Sequence, residues 1–252
     1  MNILRKSNGH VFRQINPGIW QITFHFPLTV NCWLYEDAVG LTLVDSANPW
    51  NTSTILEAVE LLEKPLKRII VTHAHPDHAG AAASISSKTG ADVFVHEDDL
   101  LYLRGNDCLS KAPGRFICRR VLQAGRRFGI LNPTPVPNAI GVKNNESIGN
   151  LQVIHTPGHT PGSISLWSES ASAMFVGDNV SNSLNLLRIN DSVFTLDTKM
   201  LQESLQRYAE FSVQMILPGH GPAHVGQSCI DKIWGFKKRT PPINSQRPSI
   251  YR

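Results

Sequence analysis

Short runs of β-branched, aromatic and aliphatic residues open the chain: Val11 to Ile15, Ile19 to Phe24, Val30 to Tyr35 and Leu41 to Val44. Gly, Pro and Asn separate them, and their period-2 stretches predict an antiparallel sheet. From Asn51 the period changes. Ile55, Val59 and Leu62 share one helical face, Thr54 and Glu57 have capping-box spacing, and Pro65 ends the segment. Arg68 to Val71 then reads as a buried strand, Ala79 to Lys88 as an alanine-rich helix closed by Gly90, and Asp92 to His96 as another strand. Glu97-Asp98-Asp99 suits the acidic first turn of a helix. In the second half, Leu151 to Ile154, Ile164 to Trp167, Ala173 to Val176 and Met215 to Leu217 predict strands. Leu201, Leu205 and Tyr208 align on one helix, and Ile230, Ile233 and Trp234 on a last one. Residues 100–145 are the least regular, with a proline-dense loop at Asn132 to Pro137. The mixture of strands and helices is that of an α/β fold. One domain over 1–252 is expected, with its core at about 11–235 and a Pro-rich tail at 240–252 that is mobile or used against a partner chain.

Composition narrows this picture. A 252-residue chain that is 41% hydrophobic can fill one sizeable core without a second domain. A net charge of +4 is too small to indicate nucleic acid by itself and permits an anionic substrate. Arg104 to Lys143 is locally basic, with eight Lys or Arg against the single acid Asp107. It reads either as solvated faces of short helices or as a lid attracting an acidic group. Phe116 and Phe128 are the only aromatics there, which argues against a single-strand stacking platform. Cys32, Cys108, Cys118 and Cys229 are scattered and form no Cys-x-x-Cys pair, so they read as free thiols of a reducing compartment rather than a disulfide framework or thiolate zinc site. The segment from Met1 lacks the apolar core of a signal peptide, and no run reaches bilayer length. A cytoplasmic protein with no membrane contact is the expectation.

Candidate chemistry gathers where strands end. Directly after Arg68 to Val71 comes Thr72-His-Ala-His-Pro-Asp-His-Ala-Gly80, with four metal-ligand types, His73, His75, Asp77 and His78, within six residues. His73 and His75, two apart in extended backbone, point the same way and can grip one ion; Asp77 and His78, at a turn into helix, can reach a second. Three further strand ends deliver His159, Asp178 and His220, each flanked by glycine. Five histidines and two aspartates suit two borderline-soft divalent ions with carboxylate bridging. His155 competes with His159, although its place inside the strand favours a supporting role. Asp45 is either a strand-end carboxylate that orients a ligand or a plain turn residue. His96 reads as structural, and His10 and His25 stand without companions.

His73-x-His75-x-Asp77-His78, Pro157-Gly158-His159-Thr160-Pro161-Gly162, Gly177-Asp178 and Pro218-Gly219-His220-Gly221 together resemble the metallo-β-lactamase-fold hydrolase superfamily, in order and separation. The resemblance covers about residues 11–235 and implies a four-layer αββα sandwich. It implies that His73, His75 and His159 hold one Zn2+, that Asp77, His78 and His220 hold the other, and that Asp178 bridges them, with Fe or Mn as alternative metals. A metal-dependent hydrolase follows, using a hydroxide between the ions, with Asp77 managing the proton. Antibiotic hydrolysis is disfavoured by the bridging Asp178 and the absent signal peptide. His75, where di-iron oxygen-reducing relatives usually carry an acid, favours hydrolysis. Only 32 residues follow His220, fewer than the helical portion of hydroxyacylglutathione hydrolases, and no RNA-binding arm is apparent. A small ester, lactone or thioester is the expected substrate; a phosphodiesterase or nuclease is the alternative, with a β-lactamase behind it. The N-terminal strands and the tail could serve a homodimer.

Overall fold

Alternation of apolar side chains along the strands decides how this chain layers. The computed structural model describes residues 2–7, 10–25, 29–105, 134–183, 186–226 and 233. Strands β1 (Asn2–Ser7), β2 (His10–Asn16), β3 (Ile19–Phe24), β4 (Val30–Asp37) and β5 (Gly40–Val44) form the antiparallel meander that their patterning predicts. β6 (Leu66–Ile70), β7 (Asp92–His96) and β8 (Ile140–Val142) extend it as parallel strands, giving an eight-stranded sheet in chain order. Parallel neighbours need crossovers, and helices supply two of them. These are α1 (Thr52–Glu60) before β6, then α2 (Pro76–Ala79) and α3 (Ala82–Thr89) before β7. Helix α4 (Glu97–Leu103) follows β7 directly.

The second sheet contains β9 (Ser147–Ile148), β10 (Leu151–His155), β11 (Ile164–Ser168) and β12 (Ala173–Gly177). A hairpin of β13 (Val180–Ser183) and β14 (Leu186–Ile189) and helix α5 (Thr198–Ser204) then precede β15 (Met215–Pro218) and β16 (His224–Val225). The order is β16-β15-β12-β11-β10-β9, with β12 and β15 parallel. In β4, Trp33 and Tyr35 face the other sheet while Leu34 faces the helices; Val44 and Leu43, and Ile70 and Ile69, divide in the same way. From the opposite sheet Val153, Phe175 and Leu217 point inward, and Ile154, Met174 and Ile216 point out against Leu201, Leu205 and Tyr208. The result is an α/β fold of two mixed sheets packed face to face with helices outside. Phe175 stands edge-on to both Trp33 and Tyr35 across the inner layer, with ring centroids 6.1 Å apart in each pair.

Some local expectations shift. Helix α1 starts at Thr52 rather than being capped by Thr54, because a 3-10 turn, Pro49–Asn51, enters first and the Thr52 hydroxyl donates to the Pro49 carbonyl. The alanine-rich helix is interrupted at Gly80 and Ala81, then closes at Gly90 in the left-handed conformation as expected. Cys32 is a buried free thiol. Cys108, Cys118, Cys229, most of the basic 104–143 segment, Ile230 and Trp234 of the last predicted helix, and the 240–252 tail lie outside the described residues. No helix among the described residues is long and apolar enough to cross a membrane.

Candidate metal centre

Five strand ends meet at one edge of the sandwich. β5 ends at Asp45, β6 runs into residues 72–78, the β10–β11 connection carries His159, β12 ends before Asp178, and β15 before His220. Three donor groups form there: His73, His75 and His159; His73, His78 and Asp178; and Asp77, His78 and His220. His75 Nδ1 lies 3.0 Å from His159 Nε2, and His78 Nε2 lies 3.4 Å from His220 Nε2. Asp178 sits between the groups: one carboxylate oxygen is 3.2 Å from His78 Nε2, and the other is 3.1 Å from His220 Nε2 and 3.6 Å from His159 Nε2. Asp77 Oδ2 is 3.6 Å from His220 Nε2. All seven predicted residues therefore converge.

Burial is uneven. His73, His75, His78, His159 and Asp178 are buried, whereas the side chains of Asp77 and His220 are 31% and 25% exposed. The site opens to solvent on that side. Gly219 makes the convergence sterically possible, since a Cβ there would lie 2.5 Å from Asp178 Oδ1 and 2.6 Å from His78 Cε1.

The partners of the far ring nitrogens fix which nitrogen His73, His159, His78 and His220 turn inward. Thr72 donates its hydroxyl to Asp45 Oδ2 at 2.9 Å, so it can only accept from His73 Nδ1, 3.0 Å away. His73 Nε2 is thereby left with a lone pair. It is buried and has no hydrogen-bond partner among the described residues. Thr195 likewise donates to the Asn190 carbonyl, accepts from His159 Nδ1 at 3.0 Å and leaves the His159 Nε2 lone pair facing inward. His78 Nδ1 donates to Asp45 Oδ2 at 2.8 Å, and His220 Nδ1 donates to the Thr29 carbonyl. Ring nitrogens gathered around a central carboxylate, with His73 Nε2 and His75 Nε2 buried and unpartnered among the described residues, fit a cation pair and are costly without one.

Electrostatics divide the rings. Burial, with neighbouring imidazoles, pulls His75 to about 4 and His159 to about 3, and holds His73 well below its usual range. Burial acts the same way on His78 and His220, but Asp178 and Asp77 outweigh it. His78 is raised well above its ordinary value and His220 to about 9. The same two histidines hold Asp178 ionised against the desolvation that would raise it.

Asp45 proves to be an orienting carboxylate, not a plain turn residue. Its Oδ1 accepts the Thr72 amide at 2.8 Å while Oδ2 takes Thr72 Oγ1 and His78 Nδ1, from a left-handed backbone at φ 60°. His155 is not in the cluster. Its Nε2 donates to the Pro161 carbonyl at 2.9 Å, and its ring stacks on His96 with centroids 3.8 Å apart. Asp98 joins those two as a separate group of ligand types, but His155 Nε2 is engaged by the Pro161 carbonyl and His96 Nδ1 accepts the Asp98 amide. His10 and His25 join none of these groups among the described residues. Thr195 and the buried Asp99 went unnoticed in the sequence; both act on residues far away in the chain, and only the third place of Asp99 in an acidic helix turn hinted at anything.

This fold and donor set define a site of His and Asp side chains that could hold metal ions at one edge of an α/β sandwich. The chain belongs to the Metallo-beta-lactamase superfamily, whose profile matches residues 25–220. Uncharacterized protein YobT of Bacillus subtilis is 35% identical over 163 residues, covering 64% of this chain and 66% of that protein. Hydroxyacylglutathione hydrolase GloC of Haemophilus influenzae is 25% identical, covering 59% of this chain and 65% of that one. The chain thus spans just under two thirds of the length of these two relatives. The crystal structure of TTHA1623 in a di-iron-bound form superimposes with a TM-score of 0.63 at 26% identity, over 79% of this chain and 91% of that one.

Proposed function

We propose that the protein is a dinuclear hydrolase, holding two Zn2+ ions, that cleaves a small thioester, ester or lactone. The observation that carries this reading is the Asp178 carboxylate between two donor groups, one buried and one open to solvent at Asp77 and His220. His73, His75 and His159 would hold one ion, Asp77, His78 and His220 the other, and Asp178 both. When bound, such a pair supplies Lewis acidity that polarises a carbonyl and lowers the pKa of water from 15.7 to about 7. The chain's own residues do the rest. The Asp77 carboxylate, on the open side beside His220, would take the proton of the attacking water on the oxygen not used as a ligand and return it to the departing thiol or alcohol. The thioester comes first because one relative is a hydroxyacylglutathione hydrolase. Ser163 is a poor nucleophile here: its oxygen accepts the Thr160 amide at 2.9 Å and bonds the Thr160 hydroxyl at 2.9 Å, so its bonding capacity is spent within the loop.

Purified protein should carry about two transition-metal equivalents and turn over thioesters, esters or lactones in a metal-dependent way. Asp77→Asn should lower kcat by about 100-fold or more, the range of a general acid-base group, with the melting temperature nearly unchanged. Full turnover in chelator-treated, metal-free protein would sink this reading. Phosphodiesters belong in the same screen, and a preference for them would move the substrate class without moving the site.

A further inference from the structure

Asp99 is a fully buried carboxylate on the first turn of α4, whose neighbours Glu97 and Asp98 have half-exposed side chains. Among the described residues no cation lies within ion-pair distance of it. Burial pushes its carboxyl up, against the pull of the donors on Ala74, Thr160 and Gly162. Those donors define its place. Oδ2 accepts the Ala74 amide at 2.8 Å and the Thr160 hydroxyl at 2.8 Å, and Oδ1 accepts the Gly162 amide at 2.7 Å. Ala74 stands between His73 and His75, and Thr160 follows His159. One carboxylate therefore ties together the two loops that carry the whole buried histidine trio. The loops come from different sheets, and the Ile164 amide also links them by donating to the Thr72 carbonyl at 2.9 Å. Gly162 is packed so tightly that a Cβ would lie 2.5 Å from the Asp99 nitrogen, so the carboxylate has no room to drift.

We propose that Asp99 is a positioning residue for the metal site: by clamping the His73–His75 loop to the His159 loop it sets the spacing of that trio, and so the affinity of the ion held there. This rests on the two-ion reading above. Asp45 orients ligands by touching the His78 side chain and the threonine behind His73. Asp99 touches no ligand side chain and acts through backbone and Thr160. Asp99→Asn is the informative change because the shape stays and the pattern breaks. Whichever way the amide turns, its NH2 faces a backbone N–H, either of Ala74 or of Gly162, and one clamp opens.

The test is a titration of metal-free protein with cobalt(II), followed by its visible absorption and by metal content after dialysis, needing no substrate. Asp99→Asn should weaken one of the two equivalents by about 10- to 100-fold, the range for groups that support metal ligands, and alter the absorption of that ion alone. Thr160→Val keeps the carboxylate charge, removes one clamp, and should weaken the same equivalent by a smaller factor. Glu97→Gln, on the same helix turn but ion-paired outward to Lys143, should leave both equivalents unchanged. Wild-type affinities in Asp99→Asn would overturn the proposal. So would a parallel weakening of both ions with Thr160→Val unaffected, since that is the signature of lost charge rather than lost spacing. Should Asp99→Asn fail to fold, Thr160→Val decides, and unchanged binding in it counts against the clamp. A wild-type chain that takes up one equivalent would instead overturn the two-ion reading and leave the Asp99 effect readable on that single ion.

Discussion

His75 and His159 are neutral at pH 7 because burial has pulled them to about 4 and about 3, whereas His220, at about 9, and His78 hold protons against Asp178 and Asp77. Metal entering the trio of His73, His75 and His159 therefore displaces almost no proton. Metal entering beside His78 and His220 must displace the protons those rings carry. The sign follows: a raised pKa in the metal-free state makes affinity on that side rise with pH until the ring loses its proton by itself, near 9 for His220. Calorimetric titration at pH 7 in two buffers of different ionisation enthalpy should show proton release assigned to one of two equivalents, and the apparent affinity of that equivalent should climb between pH 7 and 9. Equal proton release from both would contradict the division of the rings. At this scale the converging His and Asp side chains were legible in the sequence, because a metal site needs unusual residue types at close spacing, and His73-x-His75-x-Asp77-His78 supplies them. Asp45 was half legible, as a carboxylate at a strand end whose partners could not be named. Asp99 and Thr195 were not: an aspartate in a helix turn and a threonine in a loop are ordinary there, and their meaning lies in partners at Ala74, Gly162 and His159.

Strand ends carry the site because a strand fixes the position of its last residue while the following loop is free to turn. Period-2 stretches made the N-terminal strands readable, from Ile19–Phe24 onward, and short apolar runs the later ones, such as Met215–Pro218. Helix bounds were less so. Gly80, where the predicted helix divides, keeps helical angles but lies against other backbone, where a Cβ would meet the Ala47 carbonyl at 2.7 Å, a constraint that no helical periodicity contains. The glycine before His220 shows the same principle at the site itself. Gly219→Ala places a methyl 2.5 Å from Asp178 Oδ1, and overpacking of this kind costs about 1–3 kcal/mol. The larger effect should be on metal, because the displaced groups are the Asp178 carboxylate and His78. Urea unfolding should show the modest loss, and metal analysis should show the ions depleted. A Gly219→Ala protein with full metal content would refute the close approach.

Across the whole molecule, the donors are split between two sheets that meet through an apolar layer of Trp33, Tyr35, Val153, Phe175 and Leu217. The eight-stranded sheet provides His73, His75, Asp77 and His78, and the six-stranded sheet His159, Asp178 and His220. Ions that bind both halves bind the folded state and not the unfolded chain, so they stabilise by mass action, about 2.7 kcal/mol per site at 100 times Kd. Chelation should lower the melting temperature by several degrees, and readdition of metal should restore it. An unchanged melting curve would mean that the ions do not join the halves. This architecture was predictable only through family likeness, because which sheet packs on which is a long-range choice that local periodicity does not encode.

The uneven burial of the centre also implies a loading order. Under the two-ion assignment, the ion among His73, His75 and His159 is enclosed by buried side chains, whereas its neighbour is reached past the partly exposed Asp77 and His220. The outer ion exchanges with the medium first and the inner one lags, so brief treatment with a competing metal yields a mixed-metal enzyme with a defined arrangement. The identity of the outer ion then follows whatever the surroundings supply, while the inner one preserves the metal present when the protein folded.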